Sequence, residues 1–125
     1  MVNQVKHITI LNITKTTIVC REGRLANTFL TRLFGLLGKK EMNPGEGLLI
    51  KPSSGVHTFG MSFPIDIVAL DRMYCVVGVW THIGPWRIRG LSWKTRFVLE
   101  LPTGQIERSK IVIGDELLLS SPWCK

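Results

Sequence analysis

Only one stretch of this chain carries apolar residues at helical spacing, and that limits the fold more than any other feature. From Thr28 onward, Phe29, Leu33 and Leu36 or Leu37 recur every three or four positions, as do Leu30 and Phe34, which is the period of one helical face. Thr28 or Asn27 can cap the start, and Gly38 can take the left-handed conformation that ends a helix. The spacing predicts one amphipathic helix over about residues 28–37. Gly35 inside it costs up to ~1 kcal/mol relative to Ala, so close packing against that face is expected.

The rest of the chain reads as strand and turn. Short β-branched or aromatic runs occupy 8–12, 16–21, 48–50, 56–61, 65–71, 74–80, 95–101 and 116–119, each with the length and punctuation of a strand. Glu22-Gly23, Asn43-Pro44-Gly45, Pro102-Thr103-Gly104 and Gly114-Asp115 read as turns. No repeat, low-complexity tract or linker divides the chain. Its 125 residues suit one domain over 1–125, long enough to bury roughly two-thirds of its unfolded surface. The expected class is mostly β (α+β). The expected architecture is a compact, curled antiparallel sheet or small barrel, with the one helix covering an open edge or end.

With 45% apolar and 20% charged residues the chain is neither disordered nor dependent on disulfides. No apolar run approaches the ~18 residues that span a bilayer, and the start, MVNQVKHITI, lacks a signal-peptide pattern. A cytoplasmic location is therefore expected. Cys20, Cys75 and Cys124 are odd in number, far apart and form no CxxC pair, so they read as structural thiols. Net charge is +7, and its distribution is uneven. No acid lies between Asp71 and Glu100, whereas Arg72, Arg87, Arg89, Lys94 and Arg96 all do. A segment of one sign creates a surface that attracts anions.

Residues 44–71, PGEGLLIKPSSGVHTFGMSFPIDIVALD, set a histidine, a methionine and two aspartates among glycines and prolines. In a strand over 56–61, His57, Phe59 and Met61 share one face. Asp66 enters the next strand beside Ile65, Ile67 and Val68, where a carboxylate costs several kcal/mol unless it is paired or hydrogen-bonded. One reading places His57 and Asp66 in a common pocket walled by Phe59 and Met61. The other, given slightly more weight, has Asp66 capping backbone amides at the Phe63-Pro64 corner and His57 as a satisfied structural histidine. His57 and Met61 suit a soft metal ion, but with three histidines and no metal-ligand spacing no metal site is expected, and no cofactor motif is present. Ser53 and Ser54 belong to a Pro-Ser-Ser-Gly turn without a nucleophile elbow. Asp71 opens a turn where Asp is ordinary.

Trp80, Trp86 and Trp93 alternate with Arg87, Arg89, Lys94 and Arg96. Exposed, this segment suits single-stranded nucleic acid, an anionic glycan or a small phosphorylated ligand. The favoured alternative buries the tryptophans as core or lid residues beneath the arginine stems.

These pieces have a family order. Arg32-x-x-Gly35-Leu36-Leu37-Gly38, Gly45-Glu46-Gly47-Leu48, His57-Thr58-Phe59-x-Met61-x-Phe63-Pro64-Ile65-Asp66 and Leu70-Asp71 follow one another. Pro85-Trp86-Arg87, Val98-Leu99-Glu100-Leu101-Pro102-x-Gly104 and Gly114-Asp115 continue the series. Over about 11–119 the chain resembles the domain of unknown function 192, also called uncharacterised protein family 0127. The resemblance implies a small, single-domain, largely β protein of prokaryotic type with no established activity. The family pattern often has a cysteine just after the proline of the 51–54 loop, where this chain has Ser53 and Ser54, which argues against a thiol role there. It usually has a glycine after the Leu70-Asp71 pair, where this chain reads Arg72-Met73-Tyr74, so a slightly different hairpin is expected.

The leading expectation is a non-enzymatic binding or accessory domain with a polar pocket around His57, Phe59, Met61 and Asp66, and Trp86 and Arg87 at its rim. Its partner would be a small anionic ligand or an unidentified protein. A small hydrolase or lyase using His57 as general base, oriented by Asp66, is the alternative from another class, and nucleic-acid binding through 80–96 is a third. An enzyme needs base, orienter and an electrophile stabiliser together, and only the first two can be named, so the balance leans away from catalysis.

Overall fold

The computed structural model describes residues 6–26, 42–58, 62–89 and 92–120. Nine strands and one short helix occupy them: β1 Lys6–Asn12, β2 Thr17–Ala26, β3 Glu46–Ile50, β4 Val56–His57, β5 Ile65–Leu70, β6 Val76–Ile83, β7 Ile88–Arg89, β8 Phe97–Pro102, α1 Gln105–Arg108 and β9 Leu117–Ser120. Seven strands form one sheet in the order β6-β5-β8-β3-β2-β1-β9, while β4 and β7 form a separate ribbon. All pairings are antiparallel except β2 with β3. A parallel pair needs a long crossover, and the connection runs through 27–45. The predicted helix over 28–37 lies there, outside the described residues.

The sheet curls into a half-barrel whose terminal strands meet at one end. Cys75 and Glu116 form an antiparallel bridge just before β6 and β9. Val76 N–H donates to the Asp115 carbonyl at 2.8 Å, and Leu117 N–H to that of Tyr74 at 3.0 Å. Apolar side chains from all seven strands converge inside: Ile10, Val19, Leu49, Val68, Leu99, Val76 and Leu117 are buried in one cluster with Ile106 of α1. Burial of each large side chain contributes roughly 1.5–3 kcal/mol. A second cluster, with Leu48, Ile50, Ile65, Ile67 and Val98, covers the outer face of β3, β5 and β8. That two-sided burial explains why all six residues of β5, IDIVAL, are buried and why it reads as a nearly continuous apolar run.

Three details depart from the sequence expectations. Glu22-Gly23 makes no turn, because β2 runs through it to Ala26. The register jumps from Ile8–Gly23 to Ile10–Cys20, a bulge, and a Cβ on Gly23 would lie 3.0 Å from both the Ile8 carbonyl and Cys20 Sγ. The glycine serves close approach of backbone. The stretch expected to be one strand over 56–61 is strand at Val56–His57 only among the described residues, and its partner is β7. Finally, α1 follows the left-handed Gly104 where only a turn is expected. Its Ile106 is buried in the inner apolar cluster, so this helix packs against the half-barrel sheet.

The loop between β1 and β2 is tied to the 109–115 segment by a polar knot. Lys15 Nζ lies 2.9 Å from both Asp115 carboxylate oxygens, and Asn12 Nδ2 donates to one of them at 2.9 Å. Burial pushes the Asp115 carboxyl up, but hydrogen bonds from Lys15, Asn12 and the Val112 amide outweigh it and hold the carboxyl below its ordinary value.

Candidate functional site

Thr58, which the sequence marks only as a neighbour of His57, organises the corner where several predicted site residues meet. It is fully buried. Its hydroxyl donates to the Gly84 carbonyl at 2.7 Å and accepts from Arg87 N–H at 2.9 Å. Its own N–H donates to the Arg87 carbonyl at 2.9 Å, and its carbonyl accepts from Trp86 N–H at 3.3 Å. Immediately beside it, His57 pairs with Ile88 and Val56 with Arg89. Thr58, next to His57, and the Trp86-Arg87 pair, far apart in sequence, are therefore hydrogen-bonded neighbours. Phe59, Met61 and the His57 side chain lie outside the described residues.

What this frame holds is unusual. Trp86 has φ 63, a left-handed backbone that costs a bulky residue roughly 1–2 kcal/mol, and its side chain is 67% exposed. Arg87 is exposed beside it. Thr58 fixes the backbone around this exposed aromatic: its carbonyl accepts from Trp86, and its hydroxyl holds Gly84 and Arg87.

Asp66 lies at the other margin of this corner and is fully buried. Its Oδ1 accepts from His82 N–H at 2.8 Å, and its Oδ2 accepts from Gly104 N–H at 3.1 Å and Ile106 N–H at 3.0 Å. The amides come from the end of β6 and the start of α1, not from the Phe63-Pro64 corner. The carboxylate thus joins β5, β6 and α1. His82, held by Asp66, is two residues from Gly84, held by Thr58, so the two buried side chains brace successive parts of one turn.

A second polar surface lies at the opposite end of β5. Asp71, Arg72, Met73, Trp93, Lys94 and Arg96 line a cleft of about 510 Å³. Trp93 is 81% exposed, and Lys94 Nζ sits 5.5 Å from its ring centroid. Asp71 is partly committed, since its Oδ1 accepts from Met73 and Cys75 N–H at 2.8 and 3.0 Å. A smaller cleft of about 350 Å³, lined by Pro52, Ser53, Ser54, Thr95 and Arg96, shares Arg96 with the first. The expectation that the tryptophans are core or lid residues holds only for Trp80, which packs against the outer apolar cluster. Trp86 and Trp93 sit in turns rather than strands: Thr95 N–H donates to the Ser92 carbonyl at 3.1 Å, closing the turn that pushes Trp93 outward.

Other candidates are occupied. The Ser53 hydroxyl donates to the Gly55 carbonyl and accepts from its N–H, an ordinary turn. Burial pushes the Cys20 thiol up to about 12. Burial and the nearby Asp71 and Glu116 carboxylates raise that of Cys75, so neither is a ready thiolate. Among the described residues no cluster of His, Cys, Asp and Glu could hold a metal ion, and no helix is long and apolar enough to cross a membrane. Sequence reasoning did not single out Glu100 as a site residue, although it is fully buried on the outer face between Leu48 and Ile67.

Comparison with known proteins places the chain. The model of the uncharacterised DUF192 family matches residues 10–119. A UPF0127 protein of Pyrococcus horikoshii is 33% identical over 102 residues, covering 77% of this chain and 85% of its own length. One from Pyrococcus furiosus is 30% identical over 113 residues, 86% of this chain and 94% of its own. Among solved structures, a protein of unknown function from Novosphingobium aromaticivorans superposes with a TM-score of 0.74 at 20% identity, over 91% of this chain and 84% of that one. A Sinorhizobium meliloti protein gives 0.75 at 20% identity, over 92% and 93%. The two solved structures share the fold; the sequence match over nearly the whole chain makes this protein a member of the DUF192 (UPF0127) family.

Proposed function

We propose that the protein is a non-enzymatic binding domain whose contact surface is the Trp86-Arg87 corner and whose ligand is anionic. The observation that carries this reading is the exposed, left-handed Trp86 held by the hydrogen bonds between Thr58 and the 84–87 turn. Folding alone does not call for a largely exposed tryptophan at a left-handed backbone position, and an aromatic face beside a guanidinium suits a planar or sugar-like anion. The surrounding segment adds Arg89 and no acid between Asp71 and Glu100. In this reading Asp66 positions the turn through His82, and sequence adjacency to Thr58 makes His57, Phe59 and Met61 further contact candidates. The His57–Asp66 acid/base reading is weaker, because three amides already occupy the Asp66 oxygens.

The test is a thermal-shift screen of the full chain against inorganic phosphate, pyrophosphate and sulfated and carboxylated sugars. A ligand at about 100 times its Kd adds roughly 2.7 kcal/mol of stability. The expected result is a rise in Tm that disappears in both Trp86→Ala and Arg87→Ala, each still folded. A blank panel, or a rise that both variants retain, overturns the proposal.

A further inference from the structure

We infer that the paired clefts around Arg96 form a second site, distinct from the Trp86 corner, that binds single-stranded nucleic acid. Three cations, Arg72, Lys94 and Arg96, face one carboxylate, Asp71, across the larger cleft, and Asp71 already accepts two backbone amides. Among the described residues the one ion pair is Lys15–Asp115, so no described carboxylate forms an ion pair with these cations. Trp93, 81% exposed in the same cleft, offers a flat ring of the kind on which a base of any identity stacks.

Length favours a strand over a single nucleotide. The larger cleft alone, about 510 Å³, would suit one small ligand. Arg96, however, also lines the smaller cleft with Ser53 and Ser54. The Arg96 backbone is fixed on both sides, its N–H donating to the Leu70 carbonyl at 2.8 Å and its carbonyl accepting from Ser53 N–H at 2.7 Å. A rigid backbone thus carries an exposed guanidinium at the junction of two adjoining clefts, where a phosphate between successive nucleotides would lie. Among the described residues that line the clefts there is no Asn or Gln side chain to read base edges, and Asp71 is partly committed to backbone amides, so binding is expected to be indifferent to sequence.

The experiment is fluorescence anisotropy of the full chain with a labelled oligodeoxythymidine about twelve nucleotides long, titrated at two salt concentrations. Three phosphate contacts on a single strand predict a loss of about 18-fold in affinity between about 50 and 200 mM salt. Trp93→Ala is expected to weaken binding about tenfold, and Arg96→Ala to weaken it and flatten the salt dependence. Trp86→Ala should leave it within about twofold, which separates this site from the corner proposed above. No binding at about 50 mM salt, a salt effect below about threefold, or a Trp93→Ala variant that binds normally overturns the inference. Exposed Trp93 and Arg96 have no buried contacts to lose, so both variants are expected to fold, and circular dichroism checks that they do.

Discussion

The two ends of β5 use charge in opposite ways. At its start, one fully buried carboxylate gathers three backbone N–H groups from β6 and α1. At its finish, the Leu70 carbonyl accepts from Arg96, but the guanidinium stays in water with Arg72, Lys94 and an exposed Trp93. The first arrangement satisfies every group it buries and belongs to folding. The second sets three cations against one carboxylate, an excess of positive charge that contributes little to folding and gives a surface something to bind with. The Thr58 corner combines both uses: a buried polar frame like that of Asp66 presenting exposed groups like those near Arg96.

Substitutions can break that contrast. The largest effect is expected at Asp66. Asp66→Ala strands three backbone donors and should lower stability by about 3 kcal/mol in urea unfolding, with Asp66→Asn, which keeps one acceptor, costing less. A loss under about 1 kcal/mol would mean that the carboxylate is not structural. Next comes Thr58→Val, which keeps the shape but orphans the Gly84 carbonyl and the Arg87 amide. It should cost about 2 kcal/mol, whereas Thr58→Ser should stay within about 1 kcal/mol of wild type. If Thr58→Val is neutral, the frame is held by the 84–87 turn alone.

A smaller effect, confined to acid, is expected at Asp115. Its folded carboxyl titrates below its ordinary value, so its contribution is complete above about pH 4 and is lost as pH falls through the lower, folded value. Urea midpoints measured downward from about pH 5 should fall more gently in Asp115→Asn than in wild type; parallel profiles would remove Lys15–Asp115 from the account. Smallest of all is the stability change for Trp93→Ala and Arg96→Ala, expected within about ±0.5 kcal/mol. A loss above about 1 kcal/mol at either would erase the distinction between the ends of β5.

Much of the frame is legible in sequence. The run IDIVAL stands out because burial on both faces removes polar alternation, and the strands at Val76–Ile83, Phe97–Pro102 and Leu117–Ser120 fall within a few residues of expectation. Gly23 misleads because glycine marks both turns and close approaches of backbone. The helix Gln105–Arg108 is too short to show a period. The site is less legible. Thr58 looks like any strand threonine, and its hydroxyl matters only because the chain returns at Gly84–Arg87. Asp66 is conspicuous among apolar neighbours, but its amides lie up to 40 residues away. The exposure of Trp86 and Trp93 did leave a signal, since Gly84-Pro85 and Gly90 with Ser92 punctuate their surroundings and place both rings on turns.

The most direct test watches the indole N–H resonances of the full chain by two-dimensional NMR during titration with inorganic pyrophosphate and then with oligodeoxythymidine. The account predicts that the Trp86 resonance moves with pyrophosphate and the Trp93 resonance with the oligonucleotide, while Trp80, packed on the outer cluster, stays in place. Stationary Trp86 and Trp93 signals at millimolar ligand, or movement of Trp80 alone, would contradict it.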